Sequence, residues 1–171
     1  MKRILVAIDG SPCALKAVEY VGRYFSGAGD LEVVLFHVLP YVPAGFWDDG
    51  HILTGEEREE RRRVIDRWME NQMVRLEPVF REAAEVLAAG GIPRDRISVK
   101  SVSDSADTAE SIIEEAQTGG YQMLVMGRCG RSPASRFLLG SVTGKVISRG
   151  AGIPLCVVEQ EDRCLTPEEQ K

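Results

Sequence analysis

With 171 residues, 44% of them hydrophobic and 27% charged, the chain has the make-up of an ordinary globular protein, not of a disordered or membrane-spanning one. The length favours a single domain, able to bury roughly 70% of the surface that the unfolded chain exposes. Its charge balance, 26 Asp and Glu against 21 Lys and Arg for a net −5, argues against general nucleic-acid binding.

At the amino terminus Lys2 and Arg3 precede only five apolar residues before Asp9, too few for a secretory leader, and no apolar run reaches membrane-spanning length. Cys13, Cys129, Cys156 and Cys164 form no Cys-x-x-Cys pair and have no histidine-rich company. Neither a zinc site nor a disulfide framework is indicated, so reduced thiols and a cytoplasmic location without membrane attachment are expected.

Residues 4–8, Ile-Leu-Val-Ala-Ile, form a continuous apolar run suited to a parallel strand buried on both faces. Asp9-Gly10-Ser11-Pro12 then reads as a turn and a helix start, with Ser11 as cap and Pro12 in the first turn. Leu15, Val18, Val21 and Tyr24/Phe25 keep helical spacing as far as Gly27 and Gly29, and residues 31–38 read as a second strand. This is a right-handed strand–helix–strand unit. Asp9 stands just past the carboxyl end of the first strand, where open α/β sheets bind ligands. The alternative is an aspartate that only holds the turn that follows. His37, alone in an apolar strand, reads as a satisfied core residue. Residues 40–55, with Tyr41, Phe46, Trp47 and His51, form a long irregular segment, read either as a lid or partner surface or as a loop packing its own aromatics.

From Glu56 the pattern is strongly helical. Glu57/Arg61 and Glu59/Arg63 are i,i+4 pairs worth about 0.3 kcal/mol each on a solvated face. Ile65, Trp68/Met69, Gln72/Met73, Leu76, Phe80, Ala83 and Leu87 form a core stripe, interrupted by Pro78, which is expected to kink or break the helix near Arg75 and Leu76. Gly90 and Gly91 end it. Residues 97–102 read as a third strand near a sheet edge. Asp104 and Asp107 are turn and capping residues for a helix at about 107–117, closed by Gly119 and Gly120. Residues 121–126 make a fourth strand, a helix runs from Ser141 to about 149, and 153–158 is the last strand. The domain is expected to span residues 1–159, with 160–171 a polar tail.

Between the fourth strand and the helix at Ser141 lies a loop containing Gly127, Gly130 and Gly140 with Arg128, Arg131 and Arg136. Glycine lets backbone N–H groups approach an anion closely, and a helix amino terminus adds unpaired N–H groups and a positive dipole end. Residues 116–158 contain no acid but carry Arg128, Arg131, Arg136, Lys145 and Arg149, a positive local field on an acidic protein. An anion site fits this pattern; so does a mobile glycine-rich loop. Two familiar phosphate loops are excluded. Gly140 to Lys145 is one residue short for a Walker A loop, with Val146 where a hydroxyl belongs, and no Gly-x-Gly-x-x-Gly occurs.

The spacing Gly127-x2-Gly130-x9-Gly140-Ser141 resembles the ATP-binding signature of the universal stress protein family. Residues 4–11, Ile-Leu-Val-Ala-Ile-Asp-Gly-Ser, are similar to that family's first strand and turn. The resemblance, covering roughly residues 2–159, implies an open five-stranded parallel sheet of order 3-2-1-4-5 with helices on both faces, an adenine nucleotide α-hydrolase-like architecture. It also implies a site at the strands' carboxyl ends. There Ala7, Ile8, Val38 and Met126 would surround adenine and Asp9 would lie near ribose or phosphates. Gly127, Gly130, Gly140, Ser141 and Val142 would present donors to the triphosphate, with Arg128 and Arg131 as charged phosphate contacts. Magnesium or manganese would ride on the phosphates with at most Asp9 as protein ligand. Arg128-Cys129 departs from the family's usual Ser/Thr-His pair.

Apart from Asp9, no acid or histidine near the glycine loop could act as a base, so at most slow ATP hydrolysis is expected of a stress-response sensor or regulator. The alternatives are a nucleotide-handling α-hydrolase enzyme and a nucleotide-free dimeric adaptor. The first expects a glycine/serine phosphate loop directly after strand one, and the second lacks the glycine motif. The last strand, apolar and without a lysine, is an edge expected to pair with its own copy in a homodimer.

Overall fold

The computed structural model describes residues 2–40, 54–103, 107–128 and 139–159. Strands and helices alternate: β1 (Lys2–Ala7), α1 (Pro12–Phe25), β2 (Leu31–Val38), α2 (Gly55–Ala89), β3 (Ile97–Val102), α3 (Thr108–Thr118), β4 (Met123–Gly127), α4 (Ser141–Arg149) and β5 (Leu155–Val158). A short 3-10 turn, Arg94–Arg96, leads into β3. The strands form one parallel sheet in the order β3-β2-β1-β4-β5, with β3 and β5 at its edges.

Alternation along the central strands divides the core in two. Ile4, Val6 and Ile8, with Val33, Leu35 and Val125, face α1 and α2, meeting Ala14, Ala17, Val18, Val21, Leu76, Phe80, Ala83 and Leu87. Leu5 and Ala7, with Val34, Phe36, Val38, Leu124 and Met126, face the other way, onto Ala109, Ile112, Ile113 and Ala116 of α3 and Val146 of α4. A strand whose every residue is apolar is thus satisfied by helices on both faces. Each large side chain so buried contributes about 1.5–3 kcal/mol.

Three helices start as their cap residues dictate. Ser11 accepts from the Ala14 N–H, Thr54 and Glu57 form a reciprocal capping box, and Asp107 accepts from the Ala109 N–H. The box was not foreseen from sequence. Pro78 does not break α2, which is one helix of 35 residues. Proline at 78 forfeits the bond to the carbonyl of residue 74, and Val74 is 67% exposed, so water can satisfy that group. The expected core stripe also shrinks. Leu76, Phe80, Ala83 and Leu87 are buried, whereas Ile65, Trp68 and Met69 are half-buried and Met73 is exposed. Tyr24 is exposed as well, so Phe25 alone of that pair packs on the core. Gly22 and Gly90 sit where α1 passes the end of α2: a Cβ on Gly90 would lie 2.7 Å from the Gly22 backbone.

Crossover connections turn back at β1 and β4, so the carboxyl ends of these neighbours open into one crevice. Ala7 lies there in register with Phe36 on one side and Met126 on the other.

Candidate functional site

The crevice has a cavity volume of 130 Å³, and it brings together Ala7, Ile8, Asp9, Val38, Met126, Gly127, Gly140, Ser141 and Val142. A pocket of ~150 Å³ with apolar walls takes up a benzene ring, so this one is of the size for a flat aromatic group. Its inner wall is apolar: Ala7, Phe36 and Val38 from the sheet, Met126 from β4 and Ile112 from α3. Its mouth is polar, formed by the turn after β1 and the first turn of α4.

Asp9 does hold the turn after β1, its Oδ1 accepting from the Ser11 N–H at 2.9 Å, while it also lines the crevice. Gly10 in that turn has φ of 75°, a conformation that glycine adopts without strain. His37 is buried, with Nδ1 2.7 Å from the Ile8 carbonyl oxygen and its ring edge-on to Phe80. It is the satisfied core residue expected, and it pins the end of β1 to β2 at the crevice.

The first turn of α4 is built differently from that of α1, α2 or α3. Its N-cap is Gly140, and no side chain caps it. Its first N–H groups, at Ser141, Val142 and Thr143, therefore have no partner within the helix and stand at the crevice mouth with the positive end of the dipole. Opposite them, Gly127 passes so close to α1 that a Cβ would lie 2.6 Å from the Cys13 carbonyl oxygen. Thr143, buried, donates from Oγ1 to the Gly127 carbonyl at 2.9 Å, and Gly140 N–H donates to Arg128 O at 2.9 Å. The two ends of the glycine loop are thereby held side by side.

Arg128 does not line the crevice with its neighbours. Its Nε lies 2.6 Å from Glu159 Oε1 just past β5, close as an ion pair but not aligned as a hydrogen bond. Gly130 and Arg131 lie outside the described residues, as do Asp104, Cys129 and most of the irregular segment after Pro40. Cys13 is disulfide-bonded, which corrects the expectation of a reduced thiol there. Cys156 is free, and burial pushes its thiol pKa up.

Between α3 and α4, Asp107 meets Lys145 Nζ at 3.3 Å and Arg149 Nη1 at 3.2 Å, and Arg149 also meets Glu110 at 2.6 Å. Desolvation pushes the Asp107 carboxyl up. Hydrogen bonds from Lys145 and the Ala109 N–H, with the charges of Lys145 and Arg149, outweigh it and hold the pKa below the usual 3.8. These pairs join α3 and its N-cap to α4. Thr143, Thr108, Ile112, Phe36, His37 and Ala14 line the crevice without having been singled out as ligand contacts. For Thr143 a signal was present: a hydroxyl two residues after Ser141 in the same first turn.

The sequence pattern of the universal stress protein family matches residues 1–159. The chain belongs to the universal stress protein family. A universal stress protein of Methanocaldococcus jannaschii is 28% identical over 168 residues, which cover 93% of this chain and 82% of that one. Among solved structures, a hypothetical protein whose biochemical function was assigned from its structure superposes with a TM-score of 0.65 at 24% identity, over 94% of this chain and 97% of that one. A universal stress protein of Archaeoglobus fulgidus in complex with dAMP gives 0.61 at 15% identity, over 92% and 97%. A universal stress protein in complex with cAMP gives 0.57 at 22% identity, over 92% and 95%. At these identities the likeness establishes the adenine nucleotide α-hydrolase-like fold, and several universal stress proteins of that fold hold adenine nucleotides.

Proposed function

We propose that this chain is an ATP-binding universal stress protein, a nucleotide-dependent sensor or regulator with at most slow hydrolysis. The observation that carries the reading is the uncapped first turn of α4 at the mouth of a crevice whose inner wall is apolar. A flat base suits the inner wall, and an anion suits the N–H groups and dipole at the mouth. One molecule with both properties is a nucleotide, and the dAMP and cAMP held by proteins of this fold make adenine the base of choice.

In this reading Ala7, Ile8, Val38 and Met126 receive adenine, and Asp9 stands near ribose or phosphates. Gly127, Gly130, Gly140, Ser141 and Val142 serve the phosphates, with Arg131 beside them. Arg128, paired with Glu159, would have to leave that carboxylate to reach a phosphate. Magnesium or manganese would be carried by the phosphates, with Asp9 the carboxylate available to it. The donors fit such a load: backbone N–H groups for phosphate oxygens and one acid for the cation. Among the described residues, Asp9 is the one acid that lines the crevice, so turnover should fall well below the ~10 s⁻¹ typical of enzymes.

The test is to denature protein purified without added ligand and identify what it releases. An adenine nucleotide is the expected result. Robust multiple-turnover ADP release that disappears in Asp9→Asn would instead make Asp9 catalytic and overturn the sensor reading.

A further inference from the structure

We infer that Thr143 is a positioning residue for the phosphate half of the site, its one hydroxyl proton being given to the Gly127 carbonyl and not to a ligand. The inference rests on the nucleotide reading and concerns how that site is held. Two serine or threonine side chains are buried among the described residues: Ser11, 1% exposed, and Thr143, 4% exposed. Ser11 caps its own helix. Thr143, in the first turn of α4, does not; it reaches out of the helix to the carbonyl of Gly127, at the end of β4.

That bond joins the two pieces of backbone that the phosphate must meet together. Gly127 is fixed on its other side by the Cys13 carbonyl, against which even a Cβ would not fit, and Cys13 belongs to the first turn of α1. Thr143 therefore ties α4 to a point that α1 and the sheet already hold. The second bond at the neck, Gly140 N–H to Arg128 O, is backbone to backbone and is left untouched by any change at 143. With the hydroxyl present, the unpaired N–H groups of Ser141 and Val142 have one fixed distance to Gly127. Without it, α4 keeps its apolar anchor, Val146, but its amino-terminal turn can swing. Preorganised donors bind an anion better than donors that must be ordered at the moment of binding.

Valine has nearly the shape of threonine but no hydroxyl, so Thr143→Val removes the bond and keeps the packing, while Thr143→Ser keeps the bond and drops a methyl group. The experiment measures adenosine and ATP affinity by calorimetry for wild type and both variants, with amide hydrogen exchange of residues 139–146 in the ligand-free proteins. Adenosine uses only the inner wall, so the ratio of ATP to adenosine affinity isolates the phosphate half. Thr143→Val should cut that ratio about tenfold, the worth of one net hydrogen bond, leave adenosine affinity unchanged and speed exchange in the first turn of α4. Thr143→Ser should restore both. Equal losses for adenosine and ATP would show a merely structural role and overturn the inference, as would an unchanged ratio with unchanged exchange. A wild type that binds neither ligand would overturn the nucleotide reading and the inference with it.

Discussion

Gly127 and Gly144 flank the same loop, yet the structure gives alanine opposite consequences at the two positions. At Gly127 the new Cβ meets the backbone of Cys13 at 2.6 Å, and backbone in the first turn of a helix packed on the sheet cannot yield cheaply. Gly127→Ala should lose about 1–3 kcal/mol in chemical denaturation. At Gly144, inside α4, the nearest atom is Leu139 Cδ2 at 3.5 Å, ordinary contact, so Gly144→Ala should gain about 1 kcal/mol from helix propensity. Equal effects of the two changes would contradict the packing described. At this scale the sequence was legible where chemistry depends on neighbours in the chain. Asp9 and Ser11 could be read as a turn and a cap from their order alone. The ion pair of Arg128 with Glu159 could not, because the two meet only through the pairing of β4 with β5. For Thr143 the hydroxyl in the first turn of α4 was legible, but its partner, Gly127, lies across the loop and was not.

Local signals placed the elements well because strands buried on both faces and helices with caps write their ends into the chain. Where the sequence misled, tertiary context prevailed. The proline in α2 suggested a break, but the exposed side of a long helix lets water take the freed carbonyl. The apolar stripe of α2 suggested a fully packed face, but only its carboxyl-terminal part lies over the sheet. The buried Glu115 of α3 was not foreseen either. It accepts from Lys100 Nζ at 2.6 Å and Tyr121 Oη at 2.7 Å, joining β3, α3 and the approach to β4. Burial, with the hydrogen bond to Glu115, raises the Tyr121 pKa well above 10. Its contribution is therefore complete below the ordinary tyrosine pKa and lost as pH rises toward the folded value. Tyr121→Phe should cost about 1 kcal/mol near neutral pH and remove that alkaline loss from a stability profile. Asp107 has the opposite sign. Its lowered pKa means that its contribution is present above about pH 4 and disappears as pH falls through the folded value. Asp107→Asn should flatten the acid limb of the profile; an unchanged limb would show that the pairs with Lys145 and Arg149 carry nothing.

The parallel order β3-β2-β1-β4-β5 follows from alternating strands and helices only once the family pattern of the two glycine-bearing segments is taken with them, since hydrophobic periodicity alone leaves many strand orders open. That order puts β5 at an edge, with Tyr20 and Tyr24 of α1 lining a groove beside it. An apolar edge with unpaired backbone groups invites a second copy, and an antiparallel two-fold pairing limits growth to a dimer. Wild type should sediment as a dimer at micromolar concentration and Val157→Lys as a monomer; a monomeric wild type would refute this. The same order brings the turn after β1 and the first turn of α4 to one crevice, on which the functional account depends. Calorimetric titration of the intact protein with Mg-ATP, beside Gly140→Val, tests that account most directly. Saturable binding by wild type and its loss in the variant, where a branched side chain crowds the approach of phosphate to the α4 amino terminus, is the predicted result. Equal affinity in the two proteins, or no binding by wild type at millimolar ATP, would contradict it.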